Sequence, residues 1–137
     1  MDTKERTFEA TVDNLHEALN FIEEELETHG ASMKATNVIL VSAEEIYANV
    51  AMYAYEGRQL GNCKIITEFE DDSIKITFID SGMPFNPLAK IDPDVHAAIE
   101  DRGIGGLGIY MVKNTMDECT YAYENEQNIF SMKRTIK

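Results

Sequence analysis

The chain is short of basic residues. Twelve Lys and Arg stand against 25 Asp and Glu in 137 residues, a formal charge of -13. A surface of that sign repels phosphate backbones and anionic lipid, which argues against nucleic acid and membrane surfaces as partners. It leaves a nucleotide open, because backbone N–H groups and a metal ion neutralise phosphates locally. Cysteine is scarce too: Cys63 and Cys119 belong to no CxxC or Cys/His spacing, so both read as reduced thiols. With only three prolines and no low-complexity run, the composition is not that of a disordered segment. No apolar run approaches a membrane span, and the opening MDTKERTFEATVD has no signal-type apolar core, so the expectation is a cytoplasmic protein. No solenoid-length repeat is visible, and the length fits one domain, residues 1–137, better than two.

What is present is periodicity. Residues 6–12 alternate Phe8, Ala10 and Val12 against polar neighbours, predicting a strand. Asn14, with Glu17 three residues on, predicts a helix start; Leu15, Ala18, Leu19, Ile22 and Leu26 form its stripe, and Gly30 its stop. The run Glu23, Glu24 and Glu25 reads as a solvated helix face. From about Lys34 to Tyr55 apolar residues lie nearly all round a second helix, which belongs in the interior. NCKIITEFE and SIKITFID predict a hairpin turning at Asp71 and Asp72. Residues 81–104 hold all three prolines, show one helical turn at most (DVHAAIE), and precede a glycine-led helix. CTYAYENEQNIFSMKRTI closes as a second hairpin turning near Asn125 to Asn128. The order predicts an α+β fold with helices on one face of a largely antiparallel sheet.

Three groups of residues bear on chemistry. Glu45 and Asn49, spaced i, i+4, share one face of the apolar helix. Buried without partners they would cost several kcal/mol. Either Asn49 caps a loop and Glu45 meets a lysine or the rim, or the pair forms a metal and phosphate site. An amide oxygen suits Mg²⁺, and a carboxylate can accept a proton from an attacking hydroxyl. Asp80 ends a strand just before Gly82, Met83, Pro84 and Phe85. It is a turn aspartate bonding its own backbone, or an acceptor for a purine amino group between apolar walls. Gly103, Gly105, Gly106 and Gly108 make a flexible loop, or a backbone cradle whose helix, beginning near Leu107, aims N–H groups at phosphates. The cluster is no Walker A sequence, since no GK[ST] follows. Arg102 is either a γ-phosphate contact or a solvated side chain, His16 reads as a surface histidine, and His29 and His96 have no partners at metal spacing.

In order, EEIYANVAMYAY, DSGMPFNP and RGIGGLGIYMVKNTMDE resemble the N, G1 and G2 boxes of the GHKL (Bergerat-fold) ATPase superfamily. The second and third boxes look most like its anti-sigma factor serine/threonine kinase branch, and the resemblance covers nearly the whole chain. It implies a two-layer α/β sandwich with a largely antiparallel mixed sheet. It implies Glu45 as general base, Asn49 as the Mg²⁺ ligand, and Asp80 with Gly82 as the adenine site, flanked by Met83 and Phe85. Arg102, Gly105, Gly106, Leu107 and Gly108 would lie around the phosphates, with residues 88–104 as a lid. The implied activity is ATP-dependent phosphorylation of a small anti-sigma antagonist, coupled to sequestration of a sigma factor by a homodimer. The alternative is a non-catalytic ATP/ADP-gated partner-binding module. Two departures stand out: Gly105 where histidine kinases often carry Thr or Ser, and Tyr53 where the anti-sigma branch often carries His.

Overall fold

Alternation in the strands builds a sheet with one dry face. In the computed structural model, which describes residues 2–89 and 106–137, five strands lie in the order β1-β2-β3-β5-β4. They are β1 (Asp2–Glu9), β2 (Asn62–Glu70), β3 (Ser73–Asp80), β4 (Glu118–Glu124) and β5 (Gln127–Thr135). Every described pairing is antiparallel, so the sheet is antiparallel throughout rather than mixed. The register sets Ile65, Phe78 and Phe130 in one row and Thr67, Ile76 and Met132 in the next, all buried. The opposite face carries the row Glu68, Lys75, Lys133 and Glu118, in which each of the two central lysines has a glutamate on its outer side.

Helices α1 (Leu15–Thr28), α2 (Met33–Asn49) and α3 (Gly106–Thr115) contribute the rest of the core: Ile22 and Leu26, Ile39 and Ile46, and Ile109 and Val112. Each such side chain contributes about 1.5–3 kcal/mol when fully buried. α1 ends in a Schellman arrangement, with Gly30 at φ 72° and Ala31 N–H on the Leu26 carbonyl at 3.0 Å. The side chain of Asn14 does not cap α1; it donates to the Glu9 carbonyl at 2.9 Å and ties the helix to the end of β1. α2 begins at a cap the periodicity did not reveal, Ser32 accepting from Ala35 N–H at 3.1 Å.

β1 departs most from expectation. It starts four residues earlier than the alternation suggests and stops at Glu9, where the buried Tyr47 hydroxyl lies 3.1 Å and 2.9 Å from the carbonyls of Glu9 and Thr11. Burial pushes the Tyr47 pKa up to about 12, which keeps that hydroxyl a donor. The early residues of β1 are charged because they face α1. Lys4 meets Glu25 at 3.3 Å, Arg6 meets Glu17 at 3.6 Å, and Asp2 meets His29 at 3.1 Å. Glu25 is therefore buried, not part of a solvated face. His29 also has partners that spacing did not show, since its ligand-type atom and those of Asp2 and Glu25 fall within 4.8 Å of one another. The Lys4 ammonium supplies the cation there, so the group clamps the edge strand to α1.

Candidate functional site

At Asn49 the α2 helix widens into a π-helical turn, Val50–Ala54, a distortion frequent at functional sites. The turn carries the Ala54 carbonyl to the segment after β3, where Met83 N–H donates to it at 2.9 Å. Gly82 lies so close that a Cβ would run into the Ala54 backbone, so the close approach requires glycine. Tyr55 completes the junction: its hydroxyl donates to the Asn62 carbonyl at 2.6 Å and accepts from Ser81 N–H at 2.9 Å.

Between this turn and the sheet lies a cavity of about 110 Å³, far more than one water needs. Ile46, Asn49, Val50 and Ala54 form one wall, Phe78 and Phe130 the floor, and Met83, Phe85 and Pro87 a second wall. Asp80, Tyr121 and Asn128 are its polar lining on the sheet side, and Tyr53 and Glu56 lie at the α2 end. Asp80 is buried, and its Oδ1 accepts from Gly82 N–H and from Asn128 Nδ2, both at 2.9 Å. Burial raises its pKa above the usual carboxylate value, while the bonds from Asn128 and Gly82 pull it back. No cation pairs with it among the described residues. A carboxylate of this kind, on an apolar slot, is built to accept from N–H donors of a flat ligand.

Glu45 lies one helical turn before Asn49. Asn49 Nδ2 donates to the Glu45 carbonyl at 2.9 Å and to its Oε1 at 3.3 Å, so the two side chains are coupled. A Cβ at Gly108 would collide with the Glu45 carboxylate, so the bare backbone of α3 makes room for that acid.

Thus Asn49, Asp80, Met83 and Phe85 line one cleft, Gly82 bonds Asp80 from behind, and Glu45 sits between Asn49 and Gly108. Gly106 and Leu107 open α3. Arg102, Gly103, Gly105, the DVHAAIE turn and most of the 88–104 segment lie outside the described residues. Asn128 and Tyr121 escaped the sequence reading. The available signal was an asparagine at an inward strand position, in phase with Phe130 and Met132.

A family model described as a histidine kinase-like ATPase domain matches residues 8–134. The chain belongs to that family. Membership of an ATPase family implies ATP as the ligand of its site. Among curated relatives, the protein named Serine-protein kinase RsbW from Staphylococcus aureus strain MSSA476 is 32% identical over 102 residues, covering 71% of this chain and 64% of that protein. The same protein from strain MW2 matches equally. The chain thus spans 64% of the length of these relatives. Among solved structures, that of the RsbU and RsbW domains of Rv1364c from Mycobacterium tuberculosis superposes with a TM-score of 0.70. It covers 99% of this chain and 33% of that one at 13% identity, a likeness of fold. Among the described residues no helix is long and apolar enough to cross a membrane, and both cysteines are free thiols.

Proposed function

We propose that the chain is an ATP-dependent serine/threonine protein kinase that phosphorylates a small anti-sigma antagonist and also sequesters a sigma factor. The observation that carries the nucleotide part is the buried Asp80 carboxylate, bonded on one oxygen by neutral N–H donors and facing an apolar cavity that Asn49 also lines. The family and the kinase name of its relatives support the chemistry.

In this reading Asp80 receives the amino group of adenine, and Met83 and Phe85 hold the ring. Asn49 spends its Nδ2 on Glu45, which leaves its amide oxygen for a hard cation, so the residues fit Mg²⁺. The bound ion would neutralise charge on the phosphate oxygens. Glu45 keeps a carboxylate oxygen beyond the one facing Asn49 and takes the proton of the attacking hydroxyl. N–H groups at the start of α3 stabilise the phosphates; Arg102, Gly105, Gly106 and Leu107 belong to this proposal. Pairing of two copies along the open edge of β1 would give the homodimer.

Glu45→Gln tests the assignment. It should bind ATP as the parent does and transfer phosphate to an antagonist about 10²–10⁴-fold more slowly. Transfer at the parental rate would remove Glu45 as the base. Tight ATP binding with no phosphoprotein from any antagonist would favour the non-catalytic ATP/ADP-gated module.

A further inference from the structure

Asn128 of β5 stands directly opposite Asp80 of β3 and is buried. A side-chain amide offers two N–H donors and an oxygen with two lone pairs. All of them are engaged. Nδ2 donates to Asp80 Oδ1 and to the Met83 carbonyl, each at 2.9 Å; Oδ1 accepts from Phe85 N–H at 3.0 Å and from the Tyr121 hydroxyl. The orientation of the amide follows, because flipping it would set its donors against donors and its oxygen against acceptors. A saturated side chain has nothing left for a ligand, so Asn128 does not itself read what enters the cleft. Asp80 Oδ1 is saturated by the same count, holding Gly82 N–H and Asn128 Nδ2. Among the described residues no donor reaches Oδ2.

We propose that Asn128 is the positioning residue of the cleft. By holding Asp80 Oδ1 and the Met83 and Phe85 backbone together, it leaves one carboxylate oxygen for the ligand and makes the cleft select a base edge bearing an N–H donor over one bearing a carbonyl oxygen. This rests on the nucleotide reading given above. Without the amide, the carboxylate can rotate and the Met83–Phe85 wall is no longer tied to the sheet. A relaxed site discriminates poorly between an amino and an oxo group at the same ring position.

The test is calorimetric titration of the parent, Asn128→Ser and Tyr121→Phe with the magnesium salts of ATP and of its 6-oxo analogue ITP, across about pH 5–8. The parent should prefer ATP, and Asn128→Ser should lose about tenfold or more of that preference. Its acid limb of ATP binding should also move to higher pH, since Asn128 holds the Asp80 pKa down against burial. A residue that only packs would not move that limb. Tyr55, Cys63 and Tyr121 also surround Asp80, but their pKa values are raised, so they stay protonated over this range. Glu56, on the cavity wall, is separated by a Glu56→Gln control. Tyr121→Phe removes one donor to Asn128 and keeps both of its donations, so the same changes should appear, smaller. Thermal melting establishes that each variant folds; where Asn128→Ser does not, Tyr121→Phe decides. An ATP preference and acid limb unchanged in the folded variants overturn the role of Asn128 while leaving the nucleotide site standing. A parent that binds neither nucleotide overturns both.

Discussion

Glu25 and Asp80 are equally buried, each 6% exposed, yet the fold treats them in opposite ways. Glu25 lies under the charged edge of the sheet and has a cation, Lys4, at 3.3 Å. Asp80 ends the central strand β3, receives only neutral N–H donors, and opens on an apolar cavity. Charge balance inside the protein makes the first carboxylate part of a clamp. Its lack leaves the second with unspent electrostatic demand, which a ligand with N–H donors can meet. A buried acid is therefore informative only together with what neutralises it.

The contrast can be broken most severely at Asp80. Asp80→Asn keeps an oxygen for the Gly82 and Asn128 donors but turns a donor toward the cavity, so ATP affinity should fall by about tenfold or more in calorimetry. The fold should not suffer. Because burial raises the Asp80 pKa, ionising it costs stability: its contribution is most favourable below the unfolded value and declines as pH rises through the raised folded value. At neutral pH Asp80→Asn should melt at or above the parent temperature, and the advantage should vanish on acidification. A clear loss of stability at neutral pH would mean that the charge itself holds this end of the sheet.

Lys4→Met makes the converse change, leaving Glu25 buried without its cation. Urea unfolding at neutral pH should show a loss of about 1–3 kcal/mol, the cost of an uncompensated buried group, moderated because Lys4 is half exposed. ATP binding should be unaffected, as β1 and the cavity share no residue. No measurable loss would remove the clamp. The smallest effect is expected from the double variant Lys4→Met with Glu25→Met, which removes both charges together and should regain most of the stability lost in the single variant. A double variant as unstable as Lys4→Met alone would show that shape, not charge balance, matters at this edge.

Much of this was legible before any coordinates. The apolar sweep of α2, the two hairpins and the α+β layering follow from periodicity, and Asp80 stood out as an acid at a strand end before a glycine. The charged start of β1 was not legible, since Asp2, Lys4 and Arg6 look solvent-facing until α1 brings Glu25, Glu17 and His29 against them. Glu25 was misread for the same reason: an acidic run on a helix gives no sign of which member turns inward. Asn128 was missed because a strand asparagine next to a turn resembles a turn residue, whereas the described turn falls at Asn125 and Glu126, both with positive φ.

The sequence by itself determined what kind of element each segment forms and which neighbours share a face, as with Glu45 and Asn49, because backbone geometry repeats every few residues and local spacing records it. Only the tertiary structure decided which buried groups are neutralised and by whom. Asn128 reaches Asp80 across 48 residues through strand register, and Glu45 finds its space against Gly108 of another helix. The cost of burying a charge depends on the atoms around it, and those atoms come from distant parts of the chain.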